Sequence, residues 1–143
     1  MSVRILVVED DPSQREIMSL LLHRRLGYTV VPAADGRSAL SILKDDPGIR
    51  LVILDVGLPG MGGLEVLDIL TQRHPGLPVI MLTGSRDIDH AVAAMKAGAC
   101  DFLTKPPEKE RLQVAIRNAL KTSLLEKEIV RLRKYEEGAV SFS

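Results

Sequence analysis

The stretch Leu51-Val52-Ile53-Leu54-Asp55-Val56-Gly57-Leu58-Pro59-Gly60-Met61-Gly62-Gly63 holds an unbroken apolar run, one carboxylate at its end, and a turn of glycines and proline. Four consecutive apolar residues without polar alternation predict a strand covered on both faces, as in a parallel sheet. Val79-Ile80-Met81-Leu82 repeats the pattern, and Val3 to Val8, Thr29 to Pro32 and a shorter Asp101 to Leu103 complete five predicted strands. Between them lie stretches with helical spacing: Ile17, Leu20, Leu21 and Leu26, then Ala39, Leu40 and Leu43, then Leu64, Leu67 and Leu70, then Ala91, Ala94 and Met95. Alternating strands and helices predict an α/β protein with a small doubly wound parallel sheet. The helix starts agree. Asp11-Pro12-Ser13-Gln14 offers an N-cap acceptor, proline at N1 and glutamine at N3, and Asp35-Gly36 opens the second helix.

The 143 residues suit one domain with a sizeable core. Basic and acidic residues balance at 19 each, which gives no case for a nucleic-acid or membrane surface. Aromatics are 3% with no tryptophan, so the stacking platforms of single-strand binders are missing. One cysteine, Cys100, excludes a disulfide framework and reads as a small buried hydrophobe. The three histidines share no spacing with another ligand type. The chain runs directly into a strand pattern without a signal segment, and no apolar run approaches the ~18 residues of a membrane span. A cytoplasmic location is the expectation.

In doubly wound sheets ligands bind outside the carboxyl ends of the strands. Those ends read Glu9-Asp10-Asp11, Asp55, Thr83-Gly84-Ser85 and Lys105-Pro106. Taken singly, each has an ordinary explanation: Asp11 is a helix cap, Glu9 and Asp10 a solvated acidic turn, Asp55 a turn former, Thr83 a strand-end hydroxyl and Lys105 a surface cation. Together they put acids, a hydroxyl and a lysine on one rim. Adjacent carboxylates repel unless a cation sits between them, and oxygen-only ligands favour Mg²⁺, which Glu9, Asp10 and Asp55 would hold. Magnesium is commonly shared with phosphate, a carboxylate can itself become an aspartyl phosphate, and Asp55 is the candidate nucleophile. Lys105 and Thr83 would then meet the phosphoryl oxygens.

Glu9-Asp10, Asp55, the Leu58-Pro59 turn with Gly63, Thr83-Gly84 and Lys105-Pro106, in this order and spacing, resemble the receiver domain of bacterial two-component response regulators. The resemblance covers about residues 1–122. It implies a flavodoxin-like five-stranded sheet of order 2-1-3-4-5 and phosphotransfer from a sensor histidine kinase to Asp55. It further implies Mg²⁺ on Glu9, Asp10, Asp55 and the Gly57 backbone carbonyl, phosphoryl contacts from Thr83 and Lys105, and a cis Lys105–Pro106 bond. Thr83 and Phe102 occupy the family's switch positions, where Phe102 lacks the hydroxyl of a tyrosine. Gly57 and Gly62 replace side chains that many members carry. The resemblance makes the chain a phosphoacceptor regulator rather than an enzyme, acting at most on its own phosphoryl group. Phosphorylation would alter the face of the fourth helix (Ile88 to Gly98), fifth strand and fifth helix, where a partner or second copy binds.

From Glu108 the chain reads as one helix to about Lys134, about 40 Å long at about 1.5 Å per residue. Leu112, Ala115, Ile116 and Ala119 are placed to face the core, whereas Leu125, Ile129 and Leu132 continue beyond it at spacings of four and three, which reads as a dimerising stripe with a solvated helix end as the alternative. Residues 123–143 are expected to be a helical linker and the start of a truncated segment. They look like the linker into the AAA+ ATPase of enhancer-binding, nitrogen-regulation type activators, whose ATPase and DNA-binding domains are absent from this chain. Charge divides with this organisation: residues 1–104 carry 10 basic and 13 acidic residues, and 105–143 carry 9 and 6. Two other readings remain open. A Mg²⁺-dependent phosphatase or phosphotransferase would need a second acid where Gly57 stands, and an unphosphorylated receiver-like interaction module would not need the full set of rim residues.

Overall fold

Five strands alternate with helices: β1 (Arg4–Val8), α1 (Pro12–Leu20) running into a wider π-helical turn (Leu21–Arg25), β2 (Thr29–Ala33), α2 (Gly36–Asp45), β3 (Ile49–Asp55), α3 (Gly63–Arg73), β4 (Val79–Thr83), α4 (Ile88–Lys96) and β5 (Asp101–Thr104). A last helix, α5, covers residues 109–122. This computed structural model describes residues 2–84 and 88–122. All strand pairs are parallel, in the order β2-β1-β3-β4-β5. This is the flavodoxin-like sheet expected from the sequence. The chain lays down β2 on one side of β1 and β3 on the other, and at that reversal a crevice opens outside the strands' carboxyl ends.

Successive residues of a strand point to opposite faces, so each apolar run feeds two layers. Leu6 and Val8, Val52 and Leu54, and Val79 and Met81 pack with Ala39, Leu43, Val66, Leu67, Leu70 and Ala94 from α2, α3 and α4. Ile5 and Val7, Leu51 and Ile53, and Ile80 and Leu82 pack with Met18 and Leu22 on one side and Leu112, Ala115, Ile116 and Ala119 on the other. The four α5 residues predicted to face the core therefore do so. The unalternating runs of β3 and β4 are explained by the same two layers.

Local signals set the helix starts. The Asp11 carboxylate accepts from the Ser13 and Gln14 amides at 2.8 and 3.1 Å, with Pro12 at N1, and Asp35 accepts from the Ser38 amide at 2.7 Å. Strands β3 and β4 run one residue past the apolar runs that predict them and take in Asp55 and Thr83, the residues read at their ends. Three expectations need correction. Helix α4 stops at Lys96 rather than Gly98, because Gly98 takes a left-handed φ of +108° that ends the helical path. In α1 the buried positions are Met18 and Leu22, while Ile17 is 66% and Leu20 43% exposed. Cys100 is exposed, since it precedes β5 at the edge of the sheet, and its thiol donates to the Val79 carbonyl at 3.3 Å. Residues 123–143, predicted as a helical linker and the start of a further segment, lie outside the described residues.

Candidate functional site

Strand order brings the rim residues into one cluster. Glu9 directly follows β1, Asp55 ends the adjacent β3, Thr83 ends β4, and Lys105 directly follows β5. Alternation puts Glu9 and Asp55 on the same side as Val7 and Ile53, the side covered by α1 and α5. Carboxylate oxygens of Glu9, Asp10 and Asp55 lie within 4.8 Å of one another. Lys105 Nζ donates to Glu9 Oε1 at 2.6 Å and stands 3.0 Å from Asp55 Oδ2. Asp55 Oδ1 accepts from the Gly57 amide at 3.1 Å. Lys105–Pro106 is a cis peptide bond, as the resemblance implied.

The acids differ in exposure. Glu9 and Asp55 are buried, at 5% and 7% accessible, whereas Asp10 is exposed. Burial, reinforced by the neighbouring Asp55, pushes the Glu9 carboxyl up to about 7. Burial opposes ionisation of Asp55 too, but its neighbours Glu9, the Gly57 amide and Lys105 outweigh it and hold Asp55 below the ordinary carboxylate range. Lys105 is raised for the complementary reason, its two acid partners outweighing its own burial. Glu9 Oε2 is buried with no hydrogen-bond partner. A buried acceptor without a donor is costly, and three converging carboxylates with that free oxygen fit a hard, oxygen-seeking cation such as Mg²⁺.

The loop from Asp55 to α3 owes its path to Gly63. A Cβ there would sit 2.3 Å from the Asp55 carbonyl oxygen and 2.7 Å from Val56 Cα, both backbone atoms, and the Gly63 amide donates to the Val56 carbonyl at 3.1 Å. Beside the acids, a cavity of about 410 Å³ opens between α1 and the loop after β5, floored by Val7, Ile53 and Leu82 and flanked by Ile17 and Pro106. Phe102 pairs with Met81 and is partly buried against the layer of α2, α3 and α4, and Thr83, two residues beyond Met81, shares that face of the sheet. Thr83 is buried.

Two neighbours of the acids went unread in the sequence. Gln14, taken as the third residue of a capping pattern, accepts from Lys105 Nζ at 3.0 Å through Oε1. Arg15 Nη1 donates to the Glu9 carbonyl at 2.8 Å. Their position in the first turn after a rim of acids was the available signal.

The response regulator receiver domain pattern matches residues 5–117. The chain belongs to the response regulator receiver domain family. It is 39% identical over 133 residues to the nitrogen assimilation regulatory protein NtrX of Azorhizobium caulinodans, covering 91% of this chain and 29% of that protein. To the response regulator protein FleR of Pseudomonas aeruginosa it is 40% identical, covering 84% of this chain and 25% of that one. Among solved structures, NtrX from Brucella abortus superposes with a TM-score of 0.85 at 40% identity over 94% of this chain and 31% of that one. A receiver domain protein from Clostridium thermocellum gives 0.81 at 33% identity, covering 86% of this chain and 98% of that one. The receiver chain thus spans under a third of the NtrX and FleR proteins it resembles. Receiver domains bind Mg²⁺ at an acidic pocket, and the Glu9, Asp10 and Asp55 cluster is the acidic group of this one. Among the described residues no helix is long and apolar enough to cross a membrane.

Proposed function

We propose that this receiver domain is a phosphorylation-controlled switch that takes a phosphoryl group from a sensor histidine kinase onto Asp55. The observation that carries this reading is the Lys105 ammonium held between Glu9 and Asp55 beside a buried, unpartnered Glu9 oxygen. An Asp55 oxygen bonds to phosphorus as the donor's nitrogen–phosphorus bond breaks, and the leaving imidazole keeps the bonding pair. Asp55 suits the role because its depressed pKa keeps it an unprotonated nucleophile at neutral pH. Glu9, Asp10, Asp55 and the Gly57 carbonyl would hold Mg²⁺, whose charge, when bound, offsets that of the carboxylates and the incoming phosphoryl oxygens. Lys105 neutralises a phosphoryl oxygen as a point charge, and the Thr83 hydroxyl donates to another.

Phosphorylation adds roughly −1.5 to −2 charges and strong acceptor oxygens at the sheet's carboxyl end. Thr83 turns toward them, and Phe102, on the same face, takes up the vacated space and alters the surface of α4, β5 and α5. That surface carries an apolar stripe on α4, Ile88, Val92 and Met95, at spacings of four and three residues, with Ile88 75% exposed. It suits a second copy of the chain. Residues 1–122 are the phosphoacceptor unit of this reading, and residues 123–143 lead toward the AAA+ and DNA-binding domains of an enhancer-binding activator working in the cytoplasm. The relatives' greater length supports the reading that further domains belong to such a regulator.

Incubation with acetyl phosphate and Mg²⁺, read by mass spectrometry of the intact chain, tests the assignment. One phosphoryl group is expected, lost in Asp55→Ala and on removal of Mg²⁺. Absence of any gain supports an inert interaction module, and repeated turnover of external phosphoesters supports a phosphatase; either result overturns the switch.

A further inference from the structure

We infer that Gln14 is a positioning residue for Lys105: its side-chain carbonyl fixes the ammonium where the phosphoryl group arrives. The inference rests on the switch reading and adds a member of α1 to the site.

A lysine ammonium has three donors on a flexible four-carbon stem, so one ion pair leaves its position loosely defined. Here three oxygens surround it: Glu9 Oε1 at 2.6 Å, Asp55 Oδ2 at 3.0 Å and Gln14 Oε1 at 3.0 Å. The two acids have other duties, Glu9 as a cation ligand and Asp55 as the atom that forms the new bond. Both change their charge environment when the phosphoryl group lands. The Gln14 amide is neutral and belongs to neither group, so its hydrogen bond to Lys105 can persist while the other two are exchanged for phosphoryl oxygen. It serves as the pivot of that exchange.

The backbone beneath Gln14 is set by the rim. Its amide donates to the Asp11 carboxylate at 3.1 Å, Pro12 fixes the preceding turn, and Arg15 ties the same turn to the Glu9 carbonyl at 2.8 Å. In a capping box the glutamine oxygen would turn back to the N-cap amide. Here that oxygen spans to the loop after β5, and the bond links residues 91 positions apart.

Two variants and two readouts decide the matter in the full 143-residue chain. Gln14→Leu keeps the bulk and removes the acceptor, and Gln14→Glu keeps an oxygen at the same reach. With acetyl phosphate and saturating Mg²⁺, Gln14→Leu should slow phosphorylation up to about fivefold, the worth of one exposed hydrogen bond to a charged group. In the unphosphorylated protein, limited acetylation followed by peptide mass spectrometry should show Lys105 several-fold more reactive in Gln14→Leu. Lys44 and Lys96 should be unchanged, and Gln14→Glu should restore protection. Unchanged Lys105 labelling overturns the inference even if phosphorylation slows, because Gln14 would then act other than through the lysine. Unchanged phosphorylation overturns it even if labelling rises, and so does a Gln14→Glu variant as reactive as Gln14→Leu. If the wild-type chain accepts no phosphoryl group, the switch reading fails by itself while Lys105 labelling still decides whether Gln14 holds the lysine.

Discussion

At the carboxyl end of the sheet, Lys105 stands between two buried acids; at the amino end, Arg4 pairs with Asp46 in a half-exposed ion pair. The residue types are the same and the consequences are opposite. Water reaches Asp46, so its carboxyl gains from the Arg4 hydrogen bond, with further help from the Gly48 amide, and falls below the ordinary range. At the other end burial dominates, Glu9 rises to about 7, and one of its oxygens finds no donor. At the amino end the two charges match each other, and the orphan atom there, the buried Arg4 Nε, is a donor rather than a second negative charge. The carboxyl end is left wanting a positive charge, and the proposed cation and phosphoryl site is built from that deficit.

The sharpest way to break this contrast is through backbone packing. Gly63→Ala sets a methyl group against backbone atoms of Asp55 and Val56, whereas at Gly48 the same methyl meets Asp46 Oδ1 at 3.2 Å and Arg4 Cδ at 3.7 Å, the ends of side chains that can move. We expect Gly63→Ala to lower stability by about 3 kcal/mol in urea unfolding, and Gly48→Ala to stay within about 1 kcal/mol of wild type. Equal losses at the two positions would remove the distinction between a rigid and a yielding end.

A smaller effect, of opposite sign at the two ends, should appear with pH. Because the Glu9 pKa in the folded chain lies above its ordinary 4.5, the metal-free fold binds the extra proton between about 4.5 and 7. Its contribution to stability is therefore lost as pH rises through 7. Added Mg²⁺ offsets that loss, so the rise in Tm on adding Mg²⁺ should be greater at pH 8 than at pH 5.5, and Glu9→Gln should flatten the metal-free slope. Asp46, depressed, behaves the other way: its contribution is present above its ordinary 3.8 and lost as pH falls through its folded value. The smallest expected change is Asp46→Asn at pH 7, which should leave the urea midpoint almost unmoved, as exposed ion pairs generally do. A fall as large as that of Gly63→Ala would show the amino end to be as constrained as the site.

The strands and the acids at their ends are legible in the sequence because the signals are local: Leu51 to Leu54 has no polar interruption, and Asp55 follows at once. What was not legible depends on distance. Gln14 satisfies a capping pattern in the sequence, and only the fold brings Lys105 within 3.0 Å of it. Helix α1 has more apolar residues than its inner face can take, and the π-helical turn at Leu21–Arg25, wider than an α-helical turn, shifts the face that continues past Leu20. The buried pair is consequently Met18 and Leu22, and Ile17 and Leu20 are left outside. Cys100 reads as core from its neighbours, yet the residue before an edge strand has only one layer beside it. The Asp11 and Asp35 caps and the four α5 core residues, by contrast, depend on spacing alone and lie where spacing put them.

The bond between Lys105 and Glu9 joins residues 96 positions apart, nearly the whole length of the domain. During synthesis Glu9 and Asp55 leave the ribosome long before the lysine that completes their site, so a nascent or truncated chain presents the acids without their counter-charge. On the proposed function, competence to accept a phosphoryl group arrives only with the last strand.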